Sequence, residues 1–183
     1  MLIAVLGPDG SGKTTLARSL AENNDQIDYV YLGHNLEQRV YRWGDDFIKS
    51  KWSMAWPIKP FRRFLITLND WLEYMAARGN IRVSDRYIID ALIGTRLFRK
   101  KMRFYYNIIL RFFPKPDLVI LLDGDGKKIW ERKQELTPEI IDRYISSYKE
   151  YLTRNGVRFR TINTIENSLE QSNKIALEYI LEH

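Results

Sequence analysis

The feature that most constrains this chain stands at its beginning. There "LIAVLGPDGSGKTT" (Leu2–Thr15) passes from five apolar residues through three glycines to a lysine and two threonines. Gly7 to Thr14 satisfies G-x-x-x-x-G-K-[ST], the pattern of a phosphate-binding loop. Glycine at 7, 10 and 12 lets backbone N–H groups converge on a phosphate without Cβ interference. Lys13 is then placed to reach the outer phosphates of a nucleotide and the Thr14 hydroxyl to ligate Mg²⁺. With Ser11 and Thr15 beside them, Gly7, Gly10, Ser11, Gly12, Lys13, Thr14 and Thr15 form the candidate nucleotide-binding set. A helix opening at Lys13 would aim its positive dipole end at the same anion. Any strand–turn–helix uses glycines, so context decides. Here the motif lies between an apolar run suited to a buried parallel strand and "KTTLARSLAE", where Leu16, Ala17 and Leu20 recur at helical spacing. With no nucleotide bound, Lys13 is expected to face solvent.

Four more strands are expected: Asp28–Gly33, Ile81–Asp85, Asp117–Asp123 and Val157–Asn163. Helical patterns separate them: Lys13–Glu22, a region within Phe61–Arg78, parts of Tyr87–Arg111, and two helices between Gly126 and Arg154. Ser168, with Gln171 completing a capping box, starts a last helix. Alternating strands and helices imply an α/β fold, a parallel sheet with helices on both faces, whose ligand sits at the carboxyl ends of the strands. The segment 34–60, with Trp43, Trp52 and Trp56, lacks clean periodicity. It reads as packing tryptophans or as a substrate-covering region.

A chain of 183 residues is ordinarily one domain, here 1–183. There are no cysteines, which removes disulfides and thiolate metal sites, and the two histidines, His34 and His183, leave little for a histidine-based site. No apolar run approaches the length of a membrane span, and the N-terminus reads as a strand rather than a signal peptide, so a cytoplasmic location is the default. The net charge of +6 is local. Arg96–Lys115 holds seven basic residues and no acid, and the rest of the chain is nearly balanced. Basic residues interleaved with Phe and Tyr suit nucleic-acid contact. Phe104, Ile108 and Phe112, at four-residue spacing, could equally face the core or a homodimer partner.

If Ile81–Asp85 lies beside the first strand, Asp85 and Arg86 of "SDRY" emerge next to the phosphate loop. An arginine there can grip an acceptor phosphate with both arms of its fork, and the aspartate can serve the Mg²⁺ shell or take a proton. A strand-end Asp that caps the next helix, with Arg86 solvated, is the plainer reading of the same residues. Further on, Arg132, Lys133 and Arg143 lie on helical segments separated by "LTP", within 126–143. A closing lid carrying them would stabilise the charge of a transferring phosphoryl group, whereas "ERKQE" alone reads as a solvated helix face.

Together "GPDGSGKTT", "SDRY" and "PKPDLVILLD" resemble the thymidylate kinases, in order and over most of the chain. The resemblance implies a P-loop fold with a five-stranded parallel sheet and a basic lid. It also implies ATP and Mg²⁺ as cofactors, transfer of the γ-phosphoryl group to the 5′-phosphate of dTMP, and a place in nucleotide biosynthesis. It further implies that Asp9 contacts the acceptor sugar, Lys13 grips phosphate and Thr14 and Asp85 attend the metal. Arg86 would hold the acceptor phosphate, Arg132 would supply the catalytic lid charge and Phe61 would stack on the base. Asp90 falls where the family has a serine, Leu65 where it has a base-reading arginine (with Arg62 and Arg63 close by), and Gly94 where it has an aromatic beside the sugar.

These departures concern base and sugar, so acceptors other than dTMP stay open: a nucleoside, a sugar, or a nucleotide within DNA or at a nucleic-acid end. A non-catalytic nucleotide switch would keep Gly7–Thr14 but has no use for Arg86 beside Asp85, and the Asn-Lys-x-Asp of GTP switches is missing from the sequence.

Overall fold

Every residue of the first strand, β1 (Leu2–Leu6), is apolar and buried. A strand with apolar side chains on both faces is satisfied only between two layers. It lies there in the computed structural model, which describes residues 1–32, 71–72, 75, 80–98 (side chains of 95, 96 and 98 excepted), 107–108, 110–113 and 115–182. The tryptophan-rich stretch 34–60, Phe61 and most of the helix expected within 61–78 are outside the described residues.

β1 pairs in parallel with β3 (Ile81–Ser84) on one side and with β4 (Leu118–Asp123) on the other, so that Ile3 stands between Val83 and Leu118. β2 (Ile27–Tyr29) joins β3, and β5 (Phe159–Asn163) joins β4. The result is a five-stranded parallel sheet in the order β2-β3-β1-β4-β5. β2 begins one residue earlier than expected and extends only to Tyr29, although Val30 N still donates to Val83 O at 2.9 Å.

Among the described residues five helices lie against the sheet: α1 (Lys13–Glu22), α2 (Ile88–Phe98), α3 (Gly126–Arg132), α4 (Pro138–Arg154) and α5 (Leu169–Leu181). Side chains alternate along a strand, so each central strand feeds both layers. Leu2, Ala4, Leu6, Val119 and Leu121 pack with Leu92 and Ile93 of α2 and Tyr148 and Leu152 of α4. On the opposite face Ile3, Val5, Ile120 and Leu122 pack with Leu16 and Leu20 of α1 and Ala176 and Ile180 of α5.

Local chemistry sets the helix ends. Ser168 and Gln171 close the expected capping box, with N···O distances of 3.2 and 2.8 Å. Asp125 caps α3 by accepting from Lys128 N at 3.0 Å, and Pro138 stands in the first turn of α4 behind an extended Thr137. In the basic segment, Ile108 and Phe112 are 40% and 74% exposed, so of the two alternatives for their shared face, the core or a homodimer partner, the core does not hold for them; Phe104 lies outside the described residues, and the neighbouring Phe113 is buried.

Candidate active site

The strands all end on one edge, and the loops there gather the charged residues. The turn after β1 depends on Gly10 and Gly12, whose φ angles of 89° and 92° strain any side-chain-bearing residue. Gly12 is also the N-cap of α1 and no side chain caps that end, which leaves the first-turn amides turned toward the loop. Ser11 is fully buried and its hydroxyl donates to Pro8 O at 2.8 Å, bracing the loop from within. Thr14 and Thr15 are exposed.

Lys13 does not face solvent. It is 7% exposed, and its ammonium donates to Gly7 O at 2.8 Å, Pro8 O at 2.9 Å and Asp9 Oδ1 at 3.3 Å. The reason the sequence expectation fails is physical: the Gly7 and Pro8 carbonyls of the tight loop lie within reach of a flexible ammonium with three donors to place. Burial disfavours the Asp9 charge, but Lys13, Arg86 and Lys133 outweigh it and hold the carboxyl below its ordinary value.

Because β3 neighbours β1, Asp85 reaches the loop. It is 2% exposed, and both its oxygens accept hydrogen bonds, one from the Thr14 hydroxyl and one from the Tyr29 hydroxyl at 2.9 Å. Burial and this bond push the Tyr29 phenol up to about 12. The Arg18 guanidinium lies 5.5 Å from the centre of the Tyr29 ring. The next residue, Arg86, is exposed, and its backbone turn is clamped by Ser84 Oγ, which donates to Arg86 O at 2.8 Å and accepts from Arg86 N at 3.3 Å. Desolvation works against the Arg86 charge, yet Asp9, Asp90, Tyr31 and Asp85 raise its pKa above the ordinary value. Asp90 accepts from Tyr87 N at 2.9 Å and from the Tyr148 hydroxyl at 2.5 Å. Burial raises its carboxyl, with Lys13, these bonds and Arg86 opposing.

Thus Asp9, Lys13, Thr14, Asp85, Arg86 and Asp90 form one cluster. The basic pair after β4 divides. The Arg132 guanidinium donates to Thr164 O at 2.9 Å, and the Thr164 hydroxyl in turn donates to Ser11 O at 3.0 Å, so Arg132 sits on the β5 side of the loop. Lys133 pairs with Glu135 at 3.2 Å and acts electrostatically on Asp9, so it lies on the acidic side. Arg143 is exposed on α4.

Among the described residues, no group of three or more His, Cys, Asp or Glu could hold a metal ion. The Thr14–Asp85 pair offers a hydroxyl and a carboxylate oxygen. That hard-oxygen set fits Mg²⁺, which characteristically takes one or two protein ligands and draws the rest from phosphates and water.

No protein-family model matches the chain. A probable thymidylate kinase of Saccharolobus solfataricus is 27% identical over 166 residues, covering 82% of this chain and 84% of the relative. The thymidylate kinase of Xylella fastidiosa (strain Temecula1) is 28% identical over 162 residues, 72% of this chain and 67% of the relative. A probable thymidylate kinase of Picrophilus torridus is 29% identical over 150 residues, 74% and 69% of the two chains. The chain is a distant homologue of the thymidylate kinases. Among solved structures it is similar in fold to thymidylate kinase from Candida albicans, with TM-score 0.69, 18% identity and coverage of 99% and 91%. A deoxyadenosine kinase from M. mycoides gives 0.63 at 14% identity, over 100% of both chains.

In this thymidylate kinase-like chain, three tyrosines join the cluster that motif reading does not single out. Tyr29 is found only once the strand order puts β2 beside β3. Tyr144 and Tyr148 stand a helical turn apart on α4, and no motif singles them out. Tyr148 is buried, with its hydroxyl donating to Asp90. Phe61 lies outside the described residues, as do Arg99, Lys100, Lys101 and Arg103, whereas Arg111 and Lys115 are described and exposed. No helix among the described residues is long and apolar enough to cross a membrane.

Proposed function

We propose that this chain is a single ATP-dependent kinase domain (1–183, lid within 126–143) that moves the γ-phosphoryl group of ATP to a nucleoside monophosphate, dTMP giving dTDP. The observation that carries the reading is Arg86. It stands at the end of β3, next to Asp85 and within the field of Asp9, so a cation suited to a second phosphate faces the loop suited to the first. The names of the curated relatives favour dTMP as the acceptor.

In this reading Lys13 exchanges its carbonyl partners for the outer phosphates of ATP, while the loop amides and Thr15 line the rest, braced by Ser11. Thr14 and Asp85 would hold Mg²⁺, which would neutralise phosphate charge there. Arg86 takes the acceptor phosphate through two parallel N–H···O bonds, and Asp9 and Asp90 line the part of the acceptor beyond it. Phe61 is assigned to the base. An acceptor phosphate oxygen bonds to the γ-phosphorus as the bond to the β-bridging oxygen breaks, and ADP leaves. Arg132, released from Thr164, supplies charge to the equatorial oxygens. A cytoplasmic location, with its nucleotide pool, belongs to the same reading.

One observation favours a second reading with a polymeric acceptor: Phe112, 74% exposed, stands beside the exposed Arg111 in the basic segment. One experiment separates the two. ADP release is measured with ATP, Mg²⁺ and either free dTMP, dUMP, dCMP and UMP or DNA, for the parent and for a variant with Arg99, Lys100, Lys101 and Arg103 changed to Gln. The proposed function expects stimulation by a free pyrimidine monophosphate, weak salt dependence and an unaffected variant. Labelling of DNA alone, steeply salt-dependent and lost in the variant, would replace it with the polymeric acceptor.

A further inference from the structure

Thr14 and Arg18 stand one helical turn apart on α1, and each meets a residue at the ends of the strands beside β1. The Thr14 hydroxyl donates to Asp85 Oδ2, and the Arg18 guanidinium lies 5.5 Å from the centre of the Tyr29 ring. Tyr29 closes the circuit by donating its hydroxyl to Asp85 Oδ1 at 2.9 Å. The strands set the spacing, because Tyr29 is in register with Val83, two residues before Asp85. We propose that Tyr29 is a positioning residue for the metal: it occupies Oδ1 of Asp85, so that Oδ2 alone is offered to a cation. This rests on the kinase reading above, in which Thr14 and Asp85 would hold Mg²⁺.

Both oxygens of the buried Asp85 are engaged, but not by equivalent partners. Thr14 is exposed and belongs to the phosphate loop, and its hydroxyl would itself turn to the cation and release Oδ2. The Tyr29 hydroxyl has no such second task. Its ring is half-buried beneath the Arg18 guanidinium, and main-chain pairing holds β2 to β3 as far as Val30. Oδ1 therefore keeps its partner while Oδ2 exchanges. A carboxylate without that partner turns easily about its terminal torsion and presents either oxygen, or both together.

Which oxygens are presented decides which cation fits. Mg²⁺ demands near-ideal octahedral geometry, which the narrow bite of two oxygens from one carboxylate does not suit. Ca²⁺ accepts longer bonds, more ligands and both oxygens of a carboxylate. A phenol bonded to Oδ1 makes that oxygen a poorer ligand and disfavours the two-oxygen mode. Tyr29 thus favours the smaller cation without touching it.

The test reads metal binding rather than turnover. Mn²⁺ held by the protein–ADP complex is followed by electron paramagnetic resonance and displaced with Mg²⁺ or Ca²⁺. The proteins compared are the parent, Tyr29→Phe, Asp85→Asn and the double variant. Tyr29→Phe should lower the affinity for Mn²⁺ and Mg²⁺ about ten-fold or more and narrow the preference for Mg²⁺ over Ca²⁺. Its affinity for ADP in EDTA should equal that of the parent, which shows that the loop is intact. In the Asp85→Asn background the same substitution should have no effect. If the parent complex binds Mn²⁺ and Tyr29→Phe keeps its affinity and preference, the assignment of Tyr29 is overturned while the kinase reading stands. An equal loss in the Asp85→Asn background, or a matching fall in metal-free ADP affinity, makes Tyr29 a packing residue and overturns it too. A parent that binds ADP but no Mn²⁺ overturns it as well. If the parent binds no ADP and phosphorylates no nucleoside monophosphate, the kinase reading itself fails and this assignment with it.

Discussion

The Tyr29 hydroxyl donates to Asp85 Oδ1 at 2.9 Å across the ends of adjacent strands, while Thr14 of the phosphate loop holds the other carboxylate oxygen. The edge strand is thereby tied to the centre of the proposed chemistry. Tyr29→Phe should lower kcat several-fold and cost about 1 kcal/mol of stability, given the partial exposure of the ring. The phenol is raised in the folded state to about 12, so its stabilising contribution is complete below pH 10 and fades between 10 and 12. Urea midpoints of parent and variant should differ at pH 8 and converge toward pH 12. A constant gap across that range would exclude the hydrogen bond as its source.

Lys13→Ala should abolish phosphoryl transfer, a loss of at least about two orders of magnitude. It should also destabilise the empty protein by about 1–3 kcal/mol, because Gly7 O and Pro8 O lose a charged donor inside the loop. Melting curves alongside ADP-release rates check both parts. An unchanged melting temperature would mean that the inward contacts contribute nothing.

Arg86→Lys keeps the charge and loses the planar fork. The KM for the acceptor should rise about ten-fold or more, and that for ATP should stay near the parent value. Equal damage to both would assign Arg86 to the architecture of the β3 turn, where Ser84 already grips its backbone.

Arg132→Ala should lower kcat by about two to three orders of magnitude with little change in either KM, the signature of charge stabilised only in the transition state. Lys133→Ala is the comparison, because Lys133 is the member of the pair that already acts on Asp9. Normal turnover in Arg132→Ala and slow turnover in Lys133→Ala would transfer the role to Lys133.

Asp9 is held below its ordinary value of 3.8, so its pairing with Lys13 stabilises the fold above that pH and is lost as pH falls through the lowered value. Asp9→Asn should therefore be slightly less stable than the parent at neutral pH and indistinguishable from it near pH 2. The half-exposed carboxylate limits the gap to less than about 1 kcal/mol. Denaturant midpoints at both pH values measure it.

What was legible in the sequence was local or periodic. The glycine spacing of 7, 10 and 12, the Ser168–Gln171 box and the apolar runs of β1 and β4 each carry their geometry within a few residues. The adjacency of Ile81–Asp85 to the first strand was a condition of the site reading rather than something its residues carry, and the register of Ile3 with Val83 meets it. What was not legible depended on partners distant in sequence. Tyr29 meets Asp85 only through the β2–β3 pairing, and Tyr144 meets the edge of Gly94 only through the packing of α4 on α2. The four-residue spacing of Ile108 and Phe112 says that they share a face, not which medium that face meets; both turned out exposed. The inward turn of Lys13 was not legible because its two shortest contacts are to main-chain carbonyls, which leave no trace in side-chain identity.

Three contacts fold the Lys13 side chain into the loop that carries it: Gly7 O at 2.8 Å, Pro8 O at 2.9 Å and Asp9 Oδ1 at 3.3 Å. If Lys13 grips phosphate as proposed, it must give these up, so an arriving phosphate would gain only the difference between the new contacts and those it displaces. In the proposed function a triphosphate, which offers several anionic groups at once, would offset that loss more readily than a single phosphate.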